Sequence, residues 1–252
     1  MTLVLSLREP PAAPIDAEGL RPDRLAELSR AEIERLELFQ GNRRLPLGEL
    51  FAVSGDGEPH VRIEGDLARV AHVGAGMRGG ELVVDGHVGD WAGAEMRGGR
   101  LVVRGSAGRR LGGAYAGSRA GMRGGEIVVH GDAGEEAGAG LRRGLIAVGG
   151  SAGAAAGLGA LAGTLVALGG FGAYPGAGVR RASLVAMTAT ALLPSYAFAC
   201  VYRPPFLALC LRRLRSLGLP VTDAQIEGRY ARWSGDGLEL RRGEILILEA
   251  DT

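Results

Sequence analysis

Glycine recurs in this chain at fixed offsets, and the recurrence leaves few folds open. A G-x-x-G-x-x-x-G spacing occupies Gly86, Gly89 and Gly93, then Gly105, Gly108 and Gly112, then Gly131, Gly134 and Gly138. It returns at Gly150, Gly153 and Gly157 and again at Gly169, Gly172 and Gly176. Ahead of each copy stands a short aliphatic run: Leu82-Val83-Val84, Leu101-Val102-Val103, Ile127-Val128-Val129, Ile146-Ala147-Val148 and Leu165-Val166-Ala167. The units open at residues 81, 100, 126, 145 and 164, so the period is 19 with one step of 26. Ser183-Leu184-Val185 opens a sixth unit, and Val61-Arg62-Ile63-Glu64-Gly65 is a degenerate first one. With 44 glycines in 252 residues, such regular placement points away from disorder.

Glycine admits φ > 0 and close approach of backbones, so the chain is expected to turn sharply at the same points of every unit. A unit of this size holds too little apolar surface to fold alone, and successive units must stack. No segment between the runs suits a crossover helix, because each glycine costs a helix about 1 kcal/mol relative to alanine. The expected fold is therefore all-β: a right-handed parallel β-helix, a single-stranded solenoid with N-terminal and C-terminal helical caps. Its expected divisions are 1–60 for a strand and helical cap, 61–190 for the repeats and 191–252 for a closing cap with a helix and a final strand. Together they read as one domain.

Register turns this reading into side-chain columns. Leu82, Leu101, Ile127, Ile146, Leu165 and Leu184 form an aliphatic ladder for the core. Met77, Met96, Met122 and Leu141 form a second, assigned to packing and not to a thioether metal site. Two charged columns alternate in sign, Glu81, Arg100, Glu126 and Asp90, Arg109, Glu135. At roughly 4.8 Å between rungs such neighbours neutralise one another.

Two features depart from the pattern. One unit carries seven extra residues (26 less 19) within 113–121, which should project as a loop suited to contacting a partner. The other is a column of a single sign, Arg78, Arg97, Arg123 and Arg142, with Leu161 next and Arg180 one rung later. Like charges at strand spacing repel unless acids or a bound anion lie beside them. Two readings stand: arginines that fan into solvent or pair with acids of another subunit, and a track for a polyanionic ligand.

The ends read as caps. Pro22 and the leucines and isoleucine between 21 and 38 suggest one or two short helices, and Pro205 opens an apolar helix that runs to about Gly218 and is suited to sealing the stack. Gly243 to Leu248 reads as a last strand. The apolar stretch 183–202 is interrupted by Thr188, Thr190, Pro194 and Ser195, and reads as buried strands instead of a membrane span. Met1 to Arg8 alternates like a strand and lacks the basic start of a signal peptide. Cys200 and Cys210 fit no disulfide or metal spacing, so free thiols in a reducing cytoplasm are expected. The formal net charge of +1 offers no field for nucleic acid or an anionic membrane.

Chemistry is sparse. His60, His72, His87 and His130 show no HxH, HxxxH or HExxH spacing. The chain has no lysine, so it has neither a Walker lysine nor a Schiff-base nucleophile, and no G-x-S-x-G elbow is present. The glycines recur at a repeat period without a following helix, unlike a dinucleotide loop. No catalytic residue and no metal site is expected.

The glycine spacing behind L-V-V strands is similar to the C-terminal β-helix domain of glutamate synthase and to the C subunit of formylmethanofuran dehydrogenase. The lead-in Asn42-Arg43-Arg44-Leu45-Pro46-Leu47-Gly48-Glu49-Leu50-Phe51 and the closing Gly228-Arg229-Tyr230-Ala231-Arg232-Trp233-Ser234-Gly235-Asp236 resemble the latter over nearly the whole length. The arginine-only, Ala/Gly-rich composition favours its bacterial branch, the formyltransferase/hydrolase complex of methylotrophs. That resemblance implies a non-catalytic scaffold beside formyltransferase and amidohydrolase-like subunits. The complex would move a formyl group from formyl-tetrahydromethanopterin to a methanofuran analogue and release formate. It also implies a coenzyme with a chain of glutamates, for which Arg78, Arg97, Arg123 and Arg142 are the candidate contacts. A molybdenum or tungsten dehydrogenase complex, a glutamate-synthase-like module and a free-standing structural solenoid are the alternatives.

Overall fold

The computed structural model describes residues 2–56 and 58–249. Its frame is one twelve-stranded sheet. From one edge the strands run Ala197–Tyr202, Tyr230–Gly235, Gly243–Leu248, Ser183–Ala186, Thr164–Ala167 and Leu145–Val148. They continue through Glu126–Val129, Arg100–Val103, Glu81–Asp85 and His60–Glu64 to Leu3–Leu7 and Phe51–Ser54. The middle is parallel, and both ends turn antiparallel. A four-stranded sheet from the N-terminal region and a two-stranded one, Ser151–Ala152 with Gly170–Phe171, complete the β-structure.

This corrects the expected fold class. The architecture is a large mixed sheet with two small ones and few helices, not a right-handed parallel β-helix. Each unit contributes one four- or five-residue strand to a continuous sheet. Its glycine-rich remainder makes turns, tied to neighbouring units by isolated bridges such as Val88 to Ala107 and Ala107 to Ala133. That remainder is hydrogen-bonded from rung to rung, as from the Gly108 amide to the Val88 carbonyl at 3.0 Å and from the Gly112 amide to the Ala92 carbonyl at 2.8 Å, but it adds no further long sheet. The crossing of the terminal segments onto the stack then supplies the antiparallel edges.

Within that sheet the repeat register holds. Leu82 pairs with Leu101, Leu101 with Ile127, Ile127 with Ile146, Ile146 with Leu165 and Leu165 with Leu184. All six are fully buried, as are Met77, Met96 and Met122. Arg100 donates to Glu81 and to Glu126, both at 2.9 Å, so the first alternating column is an ion-paired ladder. In the second, Arg109 donates at 2.9 Å to Asp90.

The strand centres are buried on the other face too. Val128, Ala147, Val166 and Val185 point away from the leucine ladder, yet are wholly covered. Their cover is the helix Pro205–Ser216, whose Leu207, Leu211 and Leu214 recur at i, i+4 and i+7 and pack onto them. Burial on both faces explains why these strands read as continuous aliphatic runs. The helix therefore lies along the sheet and does not seal an open end; Gly218, at φ +91°, ends it in the left-handed conformation usual for a glycine there. The strand Ala197–Tyr202 is likewise not buried, and its first four residues are exposed.

The glycines of the motif divide between two needs, positive φ and close approach. The third glycine of each motif does take positive φ, as at Gly138 with +70°. Gly108 and Gly134 do not. They are required by proximity: a Cβ on Gly134 would lie 2.8 Å from the Arg109 amide nitrogen and 2.8 Å from the Gly108 carbonyl carbon. Stacked rungs leave no room for a side chain there.

Candidate functional site

The arginine column is the one candidate site that the sequence offers, and the structure divides it. Arg78, Arg97, Arg123 and Arg142 all have exposed side chains at the turn after the buried methionine ladder. Arg78 and Arg97 open onto a cavity of about 440 Å³. The N-terminal segment forms its far side through Glu18, Arg21 and Arg24, and Glu95 and Tyr115 close it. Arg123 turns instead to Glu95, at 3.7 Å. Arg142 lies apart, in a groove shared with Arg119 and Arg180.

Several groups fix the first cavity. Arg21 donates to the Gly76 carbonyl at 3.2 Å and sits 3.3 Å from Asp23. Asp23 in turn accepts the Arg78 amide at 3.2 Å, which ties the N-terminal turn to the arginine column. Among the described residues no carboxylate pairs with the side chains of Arg24, Arg78 or Arg97. The Tyr115 hydroxyl is shielded from solvent with no hydrogen-bond partner, and burial raises its pKa above the ordinary phenol value. A buried hydroxyl without a partner costs roughly 1–3 kcal/mol, so this cavity wall carries an unmet donor beside three unpaired guanidiniums. Chemically the arrangement suits carboxylate or phosphate groups.

A second column is hard to see in the sequence. His72, Trp91, Arg110 and Glu136 occupy successive rungs at left-handed φ values of 64°, 65°, 57° and 57°. The His72 and Trp91 rings stack with centroids 6.2 Å apart, and Tyr115 from the inserted loop tilts against both. Arg110 lies 4.7 Å above the Trp91 ring and 2.7 Å from Glu136. These positions do recur at 19, 19 and 26 (72, 91, 110, 136), but aromatic and charged residues in one column do not look alike.

The histidines are engaged in structural contacts. His72 Nδ1 meets Asp16 at 2.8 Å, and His60 lies 3.6 Å from Glu81. His87 Nδ1 accepts the Ser106 amide at 3.0 Å. His130 contacts Arg104 at 2.9 Å, and burial together with that cation lowers its pKa. Burial raises Cys210 to about 11, which leaves it a thiol. Among the described residues no cluster of three or more His, Cys, Asp or Glu side chains is arranged to hold a metal ion, and no helix is long and apolar enough to cross a membrane.

No family model matches the chain. It is 39% identical over 80 residues to the C subunit of molybdenum-containing formylmethanofuran dehydrogenase 1 from Methanothermobacter thermautotrophicus, covering 30% of this chain and 20% of that protein. It is 32% identical over 91 residues to the C subunit of tungsten-containing formylmethanofuran dehydrogenase 2 from the same organism, covering 34% of each. The chain thus spans about a fifth to a third of the length of the curated relatives it matches. Among solved structures, it superposes with a TM-score of 0.84 on a chain of the formyltransferase/hydrolase complex (FhcABCD) from Methylorubrum extorquens, a structure in complex with methylofuran. That match has 33% identity and covers 98% of this chain and 100% of the other.

Proposed function

This chain belongs to the family that contains the C subunit of formylmethanofuran dehydrogenase and a chain of the formyltransferase/hydrolase complex, and from that membership we propose that it is a non-catalytic subunit of such a hydrolytic formyl-transfer complex. The observation that carries the reading is the end-to-end match at 33% identity to a chain of that complex. The proposed assembly passes a formyl group from formyl-tetrahydromethanopterin to a methanofuran analogue and hydrolyses it to formate on formyltransferase and amidohydrolase-like subunits. The proposed part of this chain is to hold those subunits and one end of the coenzyme. Its segments 1–60, 61–190 and 191–252 are proposed to act as one unit.

The coenzyme contact is proposed chiefly at Arg78 and Arg97. Among the described residues their guanidiniums have no carboxylate partner; they face one cavity and stand beside the Tyr115 hydroxyl, which has no partner either, an arrangement that fits an anionic group. Arg123 fits less well because Glu95 already faces it, and Arg142 belongs to another groove. These residues would bind and orient the carboxylates of the coenzyme chain; the formyl carrier group itself would react elsewhere.

Purification of the tagged chain from its own cells tests the proposal. Mass spectrometry should find formyltransferase and amidohydrolase-like partners, and the assembly should hydrolyse the formyl coenzyme without molybdenum or tungsten. Recovery with metal-containing redox subunits would replace the hydrolytic reading with the dehydrogenase one. Turnover by the partner-free chain near the assembly's rate would overturn its non-catalytic role.

A further inference from the structure

The groove that holds Arg142 has features the coenzyme reading does not use. It measures about 910 Å³ and is lined by Leu158, Leu161, Leu193, Leu238 and Glu239 among others. Arg119, Arg142 and Arg180 line it, and Arg181 and Arg242 line an adjoining hollow of about 530 Å³. Among the described residues that line the groove and this hollow, two carboxylates, Asp236 and Glu239, stand against these five guanidiniums. Asp236 is buried, with its oxygens accepting the amides of Gly178 at 3.0 Å and Leu238 at 3.1 Å. Glu239 is taken by Arg180 at 3.0 Å. Arg119, Arg142, Arg181 and Arg242 therefore have no carboxylate partner among the described residues. On a chain of formal net charge +1, these four guanidiniums on one face make a local excess of positive charge.

The rim is apolar. Leu238 and Leu240 are 87% and 75% exposed. Leu240 and Arg241 both stand in the left-handed region, at φ 69° and 54°, where bulky residues are uncommon. The turn thus presents two leucines to water, one of them, Leu240, on a left-handed backbone that favours glycine, a pattern that points to a function for the turn.

We infer that this face docks a segment of a partner polypeptide in which carboxylates flank an apolar side chain. Leu238 and Leu240 anchor the segment, and Arg119, Arg181 and Arg242 select for its charge and set its register. A small anion in the groove would leave both leucines in water, whereas a peptide covers them. The existence of a partner rests on the subunit role proposed above; the chemistry of the segment rests on this surface.

The test uses the full chain and fluorescent synthetic peptides read by anisotropy: a Glu-Glu-Leu repeat, an all-Glu peptide and a Lys-Lys-Leu repeat. The Glu-Glu-Leu peptide should bind best, and moderate salt should weaken it. Leu238→Ser with Leu240→Ser, and separately Arg181→Glu with Arg242→Glu, should each weaken it at least tenfold. Leu209→Ser with Arg212→Glu, on the exposed side of the helix Pro205–Ser216, should leave it unchanged. All of these side chains are exposed, and melting curves report whether each variant folds. Equal binding of the all-Glu peptide, or indifference to the leucine changes, overturns the inference. Co-expression with the other subunits separates the two proposals. Parental assembly by both groove variants refutes the docking face and leaves the subunit role intact. Failure of the parent chain to assemble refutes the subunit role, and the peptide measurements then decide the surface alone.

Discussion

Replacing Gly134 with alanine should destabilise the protein more than replacing Gly138, although only Gly138 has a conformation that favours glycine. At Gly138, φ is +70° and a new Cβ would meet nothing closer than Ile146 Cδ1 at 3.5 Å. Alanine there carries only the left-handed strain, about 1 kcal/mol. At Gly134, φ lies outside the left-handed region, but the methyl would stand 2.8 Å from the Arg109 nitrogen and the Gly108 carbonyl carbon. Both are backbone atoms of the neighbouring rung and cannot swing aside. Relief requires the rungs to part by several tenths of an ångström, which stretches the bonds from Gly134 N–H to the Ala107 and Gly108 carbonyls, now 3.0 and 3.2 Å. Overpacking of this kind costs about 1–3 kcal/mol, and a weakened buried hydrogen bond about 1 more, so about 3 kcal/mol is expected. For a chain of this length that corresponds to a fall in Tm of about 6–12 °C, against about 2–4 °C for Gly138→Ala. Thermal melts followed by circular dichroism measure both. Equal falls, or a larger one for Gly138→Ala, would show that turn conformation and not rung spacing sets the need for glycine at Gly134.

Leu211→Ala should remove about 2–5 kcal/mol of stability, because this fully buried side chain holds the helix on the outer face of the sheet; urea unfolding measures it. Burial alone would raise the Asp236 pKa, but the amides of Gly178 and Leu238 and the Ser195 side chain hold it below the usual carboxylate range. Its contribution is therefore present above the unfolded-state pKa of about 4 and is lost as pH falls through the lower folded value. Asp236→Asn should cost about 1–3 kcal/mol at pH 7 and flatten the acid limb of the stability curve. Arg97→Gln with Arg123→Gln should weaken coenzyme binding by the assembly about three- to tenfold at low salt, with less loss at moderate salt and with assembly retained; single Arg123→Gln should account for the smaller part. Unchanged affinity in the double variant would remove the coenzyme from this column. The chain should also melt in a single transition, since its N- and C-terminal strands lie in the same sheet as the repeats, and two resolved transitions would count against one cooperative unit.

The legible part of the fold is the part written at a fixed period. Leu82 and Leu184 lie 102 residues apart in sequence, yet the leucine ladder between them follows from the spacing alone, and so does the Glu81, Arg100, Glu126 ion-paired column. The path of the chain beyond each strand is not legible in the same way. Glycine at Gly108 and Gly134 serves close approach and at Gly138 serves positive φ, and a sequence shows the same letter for both. A repeated strand with repeated turns implies a closed solenoid, but whether the rest of each unit extends into further continuous sheets depends on peptide geometry the pattern does not encode. The burial of Val128 and Val166 on the outer face is equally non-local, because the leucines that cover them come from a helix that begins at Pro205.

The candidate site shows the same division. Arg78, Arg97, Arg123 and Arg142 stand on successive rungs, with the Arg97, Arg123 and Arg142 amides donating to the Met77, Met96 and Met122 carbonyls of the rung before. They do not share an environment, because the groups that decide that environment come from outside the repeat. The segment around Arg21 and Arg24 walls off Arg78 and Arg97, and the turn at 236–242 builds a different groove around Arg142. Between them Glu95 faces Arg123, so the one-sign column is interrupted electrostatically at its third rung. A single extended polyanion running the whole column would have to displace that carboxylate from Arg123 and cross from a polar cavity into a leucine-rimmed groove. Two shorter contacts, one anionic at Arg78 and Arg97 and one mixed at Arg119, Leu238 and Leu240, require neither step.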